Sequence, residues 1–424
     1  MKKIKLLGFV LILSLVLSAC SSSSSSDSTD DKKEITAWAW NINVPVLENA
    51  AKEFEKENPD FKLNVVELGR EDVYSKLTTG LQAGGKGLPD IVLVEDDRVQ
   101  GYFESFPEAF MNVSEKGFGD HKDKFATYKI DLLTIEDGNI YGFPFDAGPT
   151  GVFYRTDYFD EAGVNPDDIK TWDDFIEAGK TIKDKVGVDM IGLDLNGDDG
   201  LYRMIMNQQG SLYFDDKGKI DFQSDASKNA MDVLKKINDA KLIKNTVGWD
   251  AWISAMANGD VATAPSGAWL SGSLTQQAAD SSGKWGVFQL PSVEEGGNRA
   301  ANLGGSNYVI LDSSENKDEA YKFMEYFSTS DKAQLDAMAG GLFPSLNTIY
   351  DNEVFTAEDK YFSNQPIWQL FTDEMNDIPS VNYTSNYTLA QDEAEKAQSE
   401  IFNGGSIDKA LKDAESRLEN RIGK

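Results

Sequence analysis

Residues 139–159 read NIYGFPFDAGPTGVFYRTDYF. Two strand-like runs, 140–145 and 152–154, are separated by Asp146, Gly148, Pro149 and Gly151. Proline fixes φ and glycine frees it, so the backbone is set to change course here. Two readings fit. One is an ordinary turn inside a single sheet. The other is a strand that leaves one lobe and enters a second, where a few residues absorb a hinge rotation. The 424 residues suffice for two lobes, each with its own core, and the flanking pattern favours the crossing.

Before that stretch the pattern is regular. Residues 35–40 read as a strand and 46–57 as a helix whose Val46, Leu47, Ala50, Ala51 and Phe54 share a face. Asn58-Pro59 stops it, 61–67 alternates as a strand, and 71–83 forms a second helix broken by Gly84 and Gly85. Residues 88–94 are nearly all apolar, as in a strand covered on both faces. The β-α-β-α-β order predicts a parallel sheet with right-handed crossovers. Ligands bind such sheets beyond the carboxyl ends of the strands, which here carry Trp40-Asn41, then Glu67, then Glu95-Asp96-Asp97-Arg98.

Past the crossing, 171–184 reads as a helix, 188–195 as a strand, and 258–269 as a loop, a short buried strand and a helix start ending in Trp269. Gly304-Gly305 looks like a second hinge strand on the way back to the first lobe, with 308–311 the returning strand. Residues 318–328 form a helix, and Leu342-Phe343-Pro344 marks a third passage.

Charge and composition exclude several functions. The net charge of −30 leaves no basic excess to neutralise phosphates, so nucleic acid is not a partner. His121 is the only histidine and Cys20 the only cysteine, so neither a His/Cys metal site nor an intramolecular disulfide is expected. Residues 194–200 place Asp194, Asn196 and Asp198 at alternate positions, as in a calcium loop. The sixth position, however, is Asp199 rather than Gly and the twelfth is Ile205 rather than Glu. No cofactor is implied. The loop is instead expected at the mouth of a cleft, with Tyr202 reaching ligand from it.

The first 20 residues carry a different signal. Lys2, Lys3 and Lys5 precede an apolar run at 6–17, too short to span a membrane as an ordinary helix, and Leu17-Ser18-Ala19-Cys20 follows. This resembles a bacterial lipoprotein signal, in which residues 1–19 are removed and Cys20 is acylated. Two acyl chains would anchor the protein stably. Residues 21–34 are polar and read as a tether.

Several segments together, in order, resemble the bacterial extracellular solute-binding proteins of carbohydrate ABC importers, the maltose-binding-protein-like family 1. They are ITAWAWN, GLPDIVLVEDDR, YGFPFDAGPTGVFYRTDYFDEAG, TWDDFIEAGKTI, NGDVATAPSGAW, KWGVFQLPS, NLGGSNYVI and ALKDAESRLENRI. The resemblance implies an α/β, two-lobed periplasmic-binding-protein-like fold of type II, each lobe a mainly parallel sheet flanked by helices and joined by hinge segments. Residues 35–145 with 304–345 would form the first lobe, and 146–303 with 346–424 the second. It implies a monomer on the outer face of the cytoplasmic membrane, lipid-anchored in the Gram-positive manner, that captures an oligosaccharide by hinge closure and hands it to membrane permease subunits. Trp269 falls on the family's cleft tryptophan and Asp97-Arg98 on its ligand-binding acid–base pair. Val94 replaces an aromatic, and Asp146 is the acid nearest the family's cleft glutamate.

The residue chemistry suits a sugar. Aromatic plates cover C–H faces, and carboxylates and amides bind hydroxyl edges. The expected substrate-binding set is Trp40, Asn41, Glu67, Asp97, Arg98, Asp146, Tyr202, Trp252, Trp269, Asn307, Trp368 and Tyr383. Two alternatives stand beside it: a cell-surface carbohydrate-active enzyme using two carboxylates, and a receptor for another solute such as a polyamine.

Overall fold

The computed structural model describes residues 33–423. The lipobox, Cys20 and the tether up to residue 32 lie outside the described residues; Lys33 and Glu34, read as tether, are instead the first two residues of a strand, paired with Phe61 and Lys62. Nine strands are present among those described: β1 (Lys33–Ala39), β2 (Phe61–Glu67), β3 (Ile91–Glu95), β4 (Phe143–Arg155), β5 (Asp189–Leu193), β6 (Ile243–Asn245), β7 (Val261–Gly267), β8 (Trp285–Gln289) and β9 (Asn302–Ile310). They follow the order β2-β1-β3-β9-β4-β7-β5-β6, with β8 also paired to β4.

The path contains two sheets that share β4. In the first, β1 pairs parallel to both β2 and β3, as the helix-linked order 33–95 requires. In the second, β5 pairs parallel to both β6 and β7. The strands that join the two halves pair antiparallel. β9 runs against β3 and β4, and the second half of β4 runs against β7 and β8. A strand arriving from the other half needs no crossover helix, so nothing forces it parallel.

In the 139–159 stretch the two strand-like runs are joined in a single strand, β4, of 13 residues. Its first half, to Pro149, pairs with β9, and from Thr150 onward it pairs with β7 and β8. The irregularity survives as two register shifts, between Pro144 and Ala147 and between Ala147 and Pro149. Gly148 is required by closeness rather than by a turn, because a Cβ there would lie 2.3 Å from the Leu303 carbonyl oxygen on β9. On β9, Gly304 and Gly305 have φ of +94° and +93°, a region that other L-residues enter only with strain.

A buried ion pair fastens this junction. Lys129, on the helix Thr127–Leu133, is fully buried and bonds to the Asp96 carboxylate. Its ammonium also donates to the carbonyls of Asp146 on β4 (2.9 Å) and Ser306 on β9 (3.1 Å). Asn307 donates to the same Asp96 carboxylate at 2.8 Å. One cation therefore ties both crossing strands to the first half, and its charge is matched by a hydrogen-bonded partner.

Candidate functional site

Where the two halves meet, strand ends and helix starts surround a cavity of about 1040 Å³. From the first half, Trp40 directly follows β1 and the chain turns at Asn41, whose φ of +49° is one that asparagine tolerates. Trp40 packs on Tyr74, with centroids 5.9 Å apart. Glu95, at the end of β3, accepts from the Arg70 Nε (2.6 Å) and from the Tyr74 hydroxyl (2.9 Å). Asp97 lines the cavity, and its buried Oδ1 has no hydrogen-bond partner.

From the second half come three tryptophans. Trp249 and Trp252 stand three residues apart on the helix Gly248–Asn258, hence on one face. Trp269 precedes the helix Leu270–Gln277. The ring centroids are 5.5 Å (249–252), 5.9 Å (249–269) and 6.3 Å (252–269) apart, so the indoles form one continuous wall. The Trp269 indole N–H donates to the Leu303 carbonyl at 2.8 Å and that of Trp252 to the Gly192 carbonyl at 3.2 Å, which fixes both planes. Trp249 is 46% exposed although it belongs to the wall. Arg203 also lines the cavity, its Nε donating to Asp199 at 2.9 Å and its Nη1 to the Tyr387 hydroxyl at 3.0 Å.

The carboxyl groups are perturbed together. Asp146, on β4, is 5% exposed and its Oδ1 has no partner. Burial pushes it up to about 7; the Lys129 ammonium opposes the shift and Asp96 adds to it. Burial and the charge of Asp97 raise Glu95. Burial, with Asp199 and Asp392 nearby, lifts Glu395 to about 7. The cavity is thus lined by flat apolar plates and by acids that burial keeps perturbed. Among the described residues, no cluster of His, Cys, Asp and Glu is suited to hold a metal ion.

Of the expected set, Trp40, Asn41, Asp97, Asp146, Trp252 and Trp269 line this cavity. The other six do not. Tyr202 is fully buried, its hydroxyl 2.8 Å from that of Ser227 and its ring stacked on Tyr213. Residues 194–199 form the expected loop, and Asp194, Gly197 and Asp198 line the cavity, but Tyr202 and Arg203 lie on the helix Gly200–Gln208 that follows, which turns Arg203 rather than Tyr202 to the cavity. Asn307 points away from the cavity to Asp96, while its neighbour Ser306 lines it, as strand alternation demands. Trp368 stacks on Phe343 at 6.0 Å. Tyr383 is buried against Tyr387, and its backbone N–H donates to Gln100. Glu67 ends the edge strand β2, exposed to solvent. Arg98 is carried round the helix Asp96–Ser105 into a separate groove of about 510 Å³ and donates to the Thr388 hydroxyl. Only Asp97 borders both spaces.

The description "bacterial extracellular solute-binding protein" matches residues 49–363. The chain belongs to that family. Among curated relatives, the lactose-binding protein of Rhizobium radiobacter is 38% identical over 400 residues, covering 92% of this chain and 93% of its own. The arabinooligosaccharide-binding protein of Bacillus subtilis (strain 168) is 29% identical over 406 residues, with coverage of 92% and 93%. Among solved structures, an extracellular solute-binding protein of family 1 superposes with a TM-score of 0.79 at 23% identity, over 92% of this chain and 100% of that one. An ABC-transporter-associated binding protein from B. animalis subsp. lactis Bl-04, in complex with beta-1,6-galactobiose, gives 0.75 at 26% identity, over 92% and 97%. The two-lobed solute-binding fold is therefore this chain's fold, and the family's place is outside the cytoplasm.

Sequence reasoning passed over Trp249, Arg203, Gln391 and Glu395, which also line the cavity. The first had a signal, since the Trp-x-x-Trp spacing in GWDAW puts both rings on one helical face. Gln391 and Glu395 are four apart on the helix Tyr387–Phe402, but nothing in the sequence says which face meets the cavity.

Proposed function

We propose that this protein is the capture subunit of an ABC importer and binds an oligosaccharide between its lobes. The observation that carries the reading is the three-tryptophan wall in a cavity that is also lined by Asp97 and Asp146. Pyranose and furanose rings present C–H faces to such plates and O–H donors to such acceptors. The names of the relatives support a saccharide of the galactoside or arabinoside kind. The lobes, 35–145 with 304–345 and 146–303 with 346–424, close about β4 and β9, because ligand held from both sides favours the closed state by contacts the open state lacks. The monomer is tethered outside the cytoplasmic membrane through an acylated Cys20 and releases its ligand to permease subunits. It captures and does not catalyse.

Titration calorimetry with neutral galactosyl and arabinosyl oligomers, with spermidine beside them, tests the reading. Binding of a saccharide by the native protein, weakened at least roughly tenfold by Trp249→Ala, is expected. Binding of spermidine alone would refute it. Release of reducing ends from the same oligomers would show an enzyme instead.

A further inference from the structure

We propose that the cavity selects uncharged saccharides and rejects those bearing carboxylate, sulfate or phosphate groups. The inference rests on the saccharide reading and names its substrate class.

Six acids line the cavity: Glu95, Asp97, Asp146, Asp194, Asp198 and Glu395. Two bases, Arg70 and Arg203, stand against them, and among the described residues no lysine or histidine lines it. Neither base is available to an anion. Arg70 is held by Glu95, with Nε and Nη2 each 2.6 Å from its carboxylate, and reaches Glu71 with Nη1. Arg203 is held by Asp199, a fully buried carboxylate, and by Tyr387. Turning either guanidinium to a ligand would strand a carboxylate that it now satisfies.

The unpartnered groups point the same way. Oδ1 of Asp146 makes no hydrogen bond, and Oδ1 of Asp97 has only the Arg98 Nε, 3.6 Å away. A sugar hydroxyl can donate to them, whereas a ligand carboxylate, sulfate or phosphate dianion brings only more acceptors. The field is strong enough that burial and neighbouring acids already hold Asp146 and Glu395 near 7. A further negative charge would enter a space that disfavours the ones present. A phosphate or uronate gains most from a free arginine or lysine, and both arginines that line this cavity are already held by carboxylates.

The test compares a neutral galactose trisaccharide with trigalacturonate by calorimetry on the full native protein at pH 7.5 and low salt. The acidic ligand is expected to bind at least roughly tenfold more weakly, with the gap narrowing as salt screens the repulsion. Glu395→Gln should narrow the same ratio. A trigalacturonate affinity equal to or above the neutral one overturns the inference and leaves the saccharide reading standing. Failure of both ligands, with neutral arabinosyl and other galactosyl oligomers also silent, overturns the two together.

Discussion

Replacing Asp146 by Asn should change how stability depends on pH. An ordinary aspartate titrates at 3.8, and burial lifts Asp146 to about 7. Below pH ~4 both folded and unfolded forms carry the proton. Between these values the folded protein keeps a proton that the unfolded chain has released. Stability therefore falls as pH rises, at ~1.4 kcal/mol per unit for this one group, and the decline ends as pH passes the folded value. Over the whole window the loss is at most about 4 kcal/mol, and between pH 5 and 7.5 it is about 2 to 3 kcal/mol. Asn cannot titrate, so D146N removes this component while the other perturbed acids act alike in both proteins. Urea unfolding of wild type and D146N at half-unit steps from pH 4.5 to 8 measures the difference. The wild type should lose stability faster than the variant up to about pH 7, after which the two run parallel. Identical pH slopes throughout would refute the assignment of a protonated, buried carboxyl to the crossing strand.

Two further substitutions probe the junction. Lys129→Met leaves Asp96, 1% exposed, without its counter-charge. Thermal unfolding should show a loss of about 3–5 kcal/mol, and a change below about 1 kcal/mol would mean that the ion pair does not fasten the strands. Gly305→Ala places a Cβ 2.6 Å from the Asp96 Oδ2 on a backbone with φ of +93°. It should cost at least about 2 kcal/mol by denaturant midpoint, with Gly84→Ala, at φ +85° with open space around it, as the control that carries backbone strain without the clash.

Local order was readable wherever one element decides its own form. The alternation from residue 35 to 94 gave the first three strands and two helices to within a few residues of where they stand. The strand ends it pointed to do supply Trp40, Asn41, Glu95 and Asp97 to the cavity. What remained hidden depends on partners distant in sequence. Nothing near Phe143 announces that it will pair with Tyr308, or that β4 will run unbroken because β9 lies against it. Side-chain direction was the other gap. Asp97 and Arg98 are adjacent in the chain, and one helical step of about 100° sends the first to the cavity and the second to a different groove. Tyr202 and Arg203 divide in the same way, the aromatic inward and the cation toward the cavity. Tyr202 was expected to reach out because it follows the polar loop 194–200, but the helix that begins at Gly200 turns it inward.

The indole cluster has a practical consequence. The chain has eight tryptophans, and four of them, Trp40, Trp249, Trp252 and Trp269, border one space. Half of the molecule's strongest ultraviolet emitters thus surround the cavity proposed to take the ligand. Three of them lie close enough to share excitation. The protein carries its own optical gauge of occupancy, and an unlabelled sample in a fluorimeter should register filling of the cavity as a shift in colour and intensity.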